Sequence, residues 1–169
     1  MSADAGSVLI PVGAFFARVD VRDVHLVARF RWHAQQYKRS SGAVNRYAKT
    51  SLAVDGKKTR QFMHRVVLGL SPSDGGIVDH INGDGLDNRR ANLRFATQSQ
   101  NLANKRSVAN RTGFKGVRLR LSGRFEAACG GKRLGCYDTA REAARAYNTQ
   151  AVAMFGQFAA TNRDLGLLP

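Results

Sequence analysis

Cysteine, proline and acidic residues are all scarce in this chain, and each shortage excludes something. Two cysteines in 169 residues, Cys129 and Cys136, cannot build a disulfide framework, and neither sits in a CxxC pair of the kind that forms a zinc knuckle. They are read as packed thiols. The four histidines are scattered without ligand spacing, which argues against a structural zinc protein. Only three prolines, with 43% apolar and 23% charged residues, mark a folded globular chain and not a disordered one. Long hydrophobic runs are missing as well. The apolar stretch 8–17 contains Pro11 and Gly13, lacks a basic start and is too short to span a bilayer. The expectation is a cytoplasmic protein, neither secreted nor membrane-bound.

The shortage of acids has the largest consequence, because 12 Asp+Glu against 27 Lys+Arg leave a net charge of +15. Such an excess favours a polyanionic partner, nucleic acid first, over the plainer account of a generic basic surface of the ribosomal kind. The few acids that remain are informative. Asp79, Asp84 and Asp87 fall within nine residues of one another, which fits either metal or turn chemistry.

The chain divides by composition into a β-rich antiparallel lead-in over 1–60, a central module over 61–106, a polar basic linker over 107–112 and a C-terminal module over 113–169. In the lead-in, strands are expected over 8–10, 15–19, 32–37 and 46–54, with a turn of helix over 21–28. The loop 38–45 and the tip 55–58 carry Gly, Ser and Lys, as hairpin connections do. A strand running into a short helix over 61–70 ends at a breaker cluster, 71–76. Strands follow over 77–80 and 93–96, separated by a long polar turn, then a helix over 98–105. Thr97 with Gln100 forms a capping-box pattern at its start. Beyond the linker, strands over 116–121, 124–129 and 132–137 precede a helix over 140–155, capped by Thr139 with Glu142 and stopped by Gly156.

The densest chemistry is the run Val78-Asp79-His80-Ile81-Asn82-Gly83-Asp84, followed by Asn92 and Asn101. An adjacent Asp and His at a strand end point to opposite faces, so one stretch of backbone can offer a carboxylate to a metal and an imidazole to a water. That division suits phosphodiester hydrolysis: a hard cation neutralises phosphate charge while a neutral His accepts a proton from water. A plainer account makes the aspartates turn formers, Asn92 and Asn101 caps, and His80 a structural histidine. The joint pattern favours the chemical reading.

These residues, with Met63-His64-Arg65-Val66-Val67 and Asn88-Arg89-Arg90-Ala91-Asn92-Leu93-Arg94, resemble the HNH nucleases of phage and mobile-intron homing endonucleases, in the variant whose last letter is Asn. The resemblance implies an α+β chain containing a ββα-metal module. It further implies that Asp79 and Asn101 hold one divalent ion (Mg²⁺ or Mn²⁺), that His80 is the general base, and that Asn92 orients His80 through its ring. His64 either lines the site or makes a structural contact, and the structural role is preferred.

In the C-terminal module Val117, Leu119 and Leu121 alternate with Arg118 and Arg120, so one strand face is apolar, for a helix to cover, and the other basic. The segments Gly113-Phe114-Lys115-Gly116-Val117-Arg118, Gly123-Arg124-Phe125-Glu126-Ala127 and Leu134-Gly135-Cys136-Tyr137 resemble the AP2 DNA-binding domain, a three-stranded antiparallel sheet packed on one helix. By this likeness Lys115, Arg118, Arg120 and Arg124 face DNA, joined by Lys132 and Arg133 from the neighbouring strand. Ser122 and Arg133 stand where plant AP2 factors use tryptophans, and Ala128 replaces a sheet glutamate, so phosphate contact is expected more than a base-reading code.

Together these readings describe a metal-dependent DNA endonuclease acting on double-stranded DNA, without a small-molecule cofactor. The alternative is a non-catalytic DNA-binding protein or regulator derived from such a nuclease. No heptad or other dimer seam is visible, so a monomer is preferred.

Overall fold

The computed structural model describes residues 6–38, 42, 44–54, 56–106 and 108–169, with Val54 described by its backbone only. Parts of the expected loop 38–45, the tip residue Asp55 and the linker residue Ser107 lie outside the described residues. The chain forms two compact units, Met1–Ala96 and Thr97–Pro169. Both mix helices with antiparallel sheets, so the α+β class is as expected. No described helix is long and apolar enough to cross a membrane.

In the first unit, β1 (Ser7–Val12) and β2 (Phe15–Asp20) form a hairpin in strict register, Val12 opposite Phe15. Gly13, at φ 63°, supplies the left-handed turn residue that such a short connection needs. A 3-10 turn at Val21–Asp23 runs into a single helical turn, α1 (Val24–Val27), shorter than the segment expected over 21–28. Next come β3 (His33–Lys38), β4 (Val44–Val54) and β5 (Lys57–Phe62), an antiparallel sheet with β4 central. Lys57 and Lys58, expected in a hairpin tip, belong to β5, opposite Val54 and Ala53.

β5 passes directly into α2 (Met63–Val67). The ribbon of β6 (Ile77–His80) and β7 (Leu93–Ala96) completes the unit. Its core comprises Val12, Ala17, Val19, Val27, Trp32, Ala48, Met63, Val67 and Leu93. The Trp32 indole N–H reaches the Val27 carbonyl at 2.9 Å, so the ring is buried without an orphaned donor.

The lead-in does more than precede the ribbon. Arg18 of β2 donates its backbone N–H to the Leu86 carbonyl at 2.8 Å and accepts from the Asn88 N–H at 2.7 Å. At the end of the same strand, Asp20 accepts from the Arg90 backbone N–H at 2.9 Å, and Asp23 pairs with the Arg90 side chain at 2.8 Å. The long turn between β6 and β7 is therefore pinned by residues about seventy positions earlier.

The second unit begins with α3 (Gln98–Ala103), whose Thr97 and Gln100 form the expected capping box; the helix ends two residues earlier than expected. β8 (Val117–Leu119), β9 (Phe125–Cys129) and β10 (Lys132–Tyr137) form an antiparallel sheet with β9 central. α4 (Ala140–Phe155), with its Thr139 and Glu142 capping box, buries Ala143, Ala144, Tyr147 and Ala151. The three small alanines let the helix lie close on the sheet. Gly116, at φ 73°, sits where a Cβ would enter the Tyr147 ring, so both space and backbone demand glycine. Of the alternating trio expected under the helix only Val117 is buried; β8 stops at Leu119, which leaves Leu119 and Leu121 exposed. Both cysteines are free thiols, Cys129 buried and Cys136 partly so.

Candidate active site and nucleic-acid interface

Alternation along β6 brings Asp79 and His80 to the end of the ribbon with side chains on opposite faces, and both are buried. Asp79 lies across the ladder from Arg94. The Arg94 Nε and a terminal nitrogen reach the same carboxylate oxygen, Oδ2, at 2.9 and 2.8 Å. Both partners are nearly dry, so removing either one leaves a buried charge.

On the other face the His80 ring enters an aromatic box. It meets Tyr47 of β4 edge to face at 5.7 Å, and His64 of α2 at 5.0 Å. His64 in turn stacks on Phe62, with planes 10° apart. The His80 Nε2 lies 3.4 Å from the Asn88 Oδ1. Burial depresses the His80 pKa below its usual 6.5, against the opposing pull of Asn88 and of Asp79, Asp84 and Asp87. His64 is pushed down to about 3, by burial first and then by repulsion from His80 and Arg65. Both rings are thus neutral near pH 7, the state a proton acceptor needs.

The turn after His80 is a closed network. Asn92 accepts the Asn82 backbone N–H at 2.9 Å and donates to the Asn82 side-chain oxygen at 2.9 Å and the Asp87 carbonyl at 2.8 Å. Its own carbonyl accepts from the Ile81 N–H at 2.9 Å. Asn92 thus grips the two residues that follow His80, and the Asn88 amide oxygen lies beside the ring. Asp84 and Asp87 are turn residues. Asp84 accepts the Leu86 N–H, and Asp87 is clamped by Arg89 at 2.7 and 2.8 Å and by Asn82. The Arg89 guanidinium also holds the Asp87 carboxyl below its usual range. Gly85 allows the turn to press on Tyr47, since a Cβ there would strike the ring and the Arg46 carbonyl.

Asn101 stands on α3, in the second unit, half-buried, its backbone N–H bonded to the Thr97 carbonyl. Tyr47 and Asn88 were not singled out from sequence. Tyr47 is 33 residues from His80, and no spacing rule joins a mid-strand tyrosine to a later strand end.

In the second unit Glu126, buried in the centre of the sheet, gathers three guanidinium groups. Arg133 lies at 3.0 Å, Arg118 at 3.3 Å and Arg120 at 3.7 Å. Arg124 pairs with Asp138 at 3.0 Å, and Lys132 is exposed. These five cations share the sheet with two acids that offset part of their charge. Lys115 departs from its expected place on this face. Its ammonium group donates to the carbonyls of Ala103 at 2.5 Å, Lys105 at 2.7 Å and Ala160 at 3.0 Å, closing the C-terminal end of α3. Burial lowers its pKa to about 8.

Comparison with known proteins agrees with this geometry. A family model described as HNH endonuclease matches residues 62–103, the span containing Asp79, His80, Asn92 and Asn101. The chain is 31% identical over 153 residues to "Uncharacterized HNH endonuclease L560" of Acanthamoeba polyphaga mimivirus, covering 88% of this chain and 75% of that protein. It is 33% identical over 95 residues to "Ethylene-responsive transcription factor ERF069" of Arabidopsis thaliana, covering 51% of this chain and 58% of the plant protein. No solved structure matches. The class defined is a DNA endonuclease, and the chain belongs to the HNH endonuclease family.

Proposed function

We propose that this protein is a metal-dependent, homing-type endonuclease that hydrolyses phosphodiester bonds of double-stranded DNA, with its C-terminal unit acting as an AP2-like grip. The observation that carries the reading is the buried, neutral His80 imidazole at a ribbon end whose preceding residue, Asp79, presents a buried carboxylate to the opposite face.

In this reading the segment matched by the HNH family, residues 62–103, is of the ββα-metal type. Asp79 and Asn101 would hold one divalent ion. Their donor set, a carboxylate and an amide oxygen, is hard and suits Mg²⁺ or Mn²⁺, which commonly use few protein ligands beside water and phosphate oxygens. Among the described residues no group of three or more His, Cys, Asp or Glu side chains could serve instead. When bound, such an ion supplies charge neutralisation at the phosphate and the departing oxygen.

His80 takes a proton from the attacking water, whose oxygen bonds to phosphorus as the bond to the 3′-oxygen breaks. The departing 3′-oxygen takes a proton from solvent, so the ends left are a 5′-phosphate and a 3′-hydroxyl. Asn92 fixes the backbone leaving His80, and Asn88 and Tyr47 fix the ring. Arg118, Arg120, Arg124, Lys132 and Arg133 contact phosphates, with the first two and Arg133 fanned by Glu126.

The test is conversion of supercoiled plasmid to open-circular and linear forms in Mg²⁺ or Mn²⁺, across a pH series. Cleavage abolished by EDTA, with an acid limb below 6.5, is the expected outcome. DNA retarded but uncut under every condition would favour a binding protein derived from a nuclease.

A further inference from the structure

The sheet β3–β4–β5 carries six Lys or Arg residues and no Asp or Glu. Register divides its faces. Ala48, Thr50 and Gln61 are buried on one face. The other holds Tyr47 and Lys49 on β4, with Arg60 opposite Ser51 and Lys58 opposite Ala53 on β5. Lys58 and Arg60 are exposed and Lys49 partly so.

We infer that this open face is a second duplex-DNA contact surface, running along β4 and β5 from the His80 site, which the cations Lys49, Lys58 and Arg60 hold against the phosphate backbone. The inference rests on the endonuclease reading above.

Two observations carry it. The first is continuity. Tyr47 on this face meets His80 at 5.7 Å, and Tyr37, 44% exposed, meets Tyr47 at 5.8 Å, so a surface aromatic leads to the buried imidazole. Lys49 lies two residues beyond Tyr47 on the same face, about 7 Å along the strand. Its ammonium is held by the Gln35 side-chain oxygen at 2.7 Å, a neutral partner that leaves two of its three donors for another acceptor.

The second is the charge balance. Arg89, Arg90 and Arg94 around the catalytic turn each pair with an aspartate, and Arg118, Arg120, Arg124 and Arg133 of the C-terminal sheet share Glu126 and Asp138. Among the described residues, Lys49, Lys58 and Arg60 have no ion pair. A cation with no intramolecular counter-charge has counterions to release to a polyanion. The N-terminal sheet is thus the less neutralised basic surface, although the C-terminal sheet is the one that looks like a DNA-binding module.

The experiment measures binding of a DNA duplex by fluorescence anisotropy over a salt series, in a slow-cleaving His80→Ala parent with Mg²⁺ present. It compares that parent with the same chain carrying Lys49→Gln, Lys58→Gln and Arg60→Gln, and with one carrying Arg118→Gln and Arg120→Gln. None of the three side chains belongs to the core, so Gln is expected to be tolerated at each, and thermal unfolding checks this. The expected result is a slope of log K against log [salt] shallower by about 2 to 3 for the triple change, near 0.9 per phosphate contact removed. An unchanged slope and affinity, with the parent binding normally, would overturn this inference alone. A parent that binds no duplex would overturn the endonuclease reading and this inference together.

Discussion

The imidazole of His64 stands edge-on to that of His80, with centroids 5.0 Å apart and planes at 89°. Two histidines this close cannot both carry a proton cheaply, and burial settles the matter by keeping both neutral. His64 was expected as a structural residue. Its stacking on Phe62 and its pKa near 3 fit a wall of the His80 box more than a titrating partner.

Stability should therefore depend on pH in a defined window. The folded-state pKa values of both histidines lie below the unfolded value near 6.5, so the unfolded chain binds protons first as pH falls. The stabilisation is present above about 6.5 and is lost as pH drops toward about 3 for His64. Urea unfolding between pH 6.5 and 5 should show a loss approaching about 1.4 kcal/mol per pH unit from His64, with a further loss of the same sign from His80. In His64→Phe the slope should fall by one proton's worth; an unchanged slope would mean that His64 is protonated in the fold.

Asn92 makes three side-chain hydrogen bonds within the turn that follows His80. Asn92→Ala should cost about 2 to 4 kcal/mol in urea unfolding, since the Asn82 backbone N–H and the Asp87 carbonyl lose the partner that this buried amide gives them. Cleavage should fall even at temperatures where the variant is folded. A variant as stable as the parent would show that the turn does not depend on this amide.

Much of this was legible in sequence, and the division is physical. Strand and helix positions followed from local periodicity, and both capping boxes from residues three apart, because those signals lie within one element. The pairing of Asp79 with His80 was legible because neighbours on a strand must diverge. Contacts closed by tertiary structure were not: the Asn92 grip on Asn82, the Tyr47 ring against His80 and the Lys115 ammonium on three carbonyls. Lys115 was expected on the DNA face by likeness to the AP2 domain, but its ammonium reaches the carbonyls at the end of α3.

Glu126→Gln should steepen the salt dependence of DNA binding and strengthen it at low salt, because Arg118, Arg120 and Arg133 lose their shared counter-charge. Anisotropy titrations on one duplex at several salt concentrations measure this. Weaker binding at every salt concentration would mean instead that Glu126 is needed to aim the arginines.

Lys115→Met should leave that salt slope unchanged while destabilising the second unit by about 2 to 4 kcal/mol, the loss of charged hydrogen bonds to three carbonyls. Thermal unfolding and the same titrations separate the two effects. A slope shallower by about 0.9 with unchanged stability would return Lys115 to the DNA face.

The most direct test of the central claim is single-turnover cleavage of supercoiled plasmid by the wild-type chain, His80→Ala and His80→Gln, all confirmed folded. With His80 as the base that activates water, both variants should cut at least about 100-fold more slowly in Mg²⁺ while still binding the plasmid. Cleavage by either variant at the wild-type rate would contradict the assignment and move the search for the base elsewhere in the site.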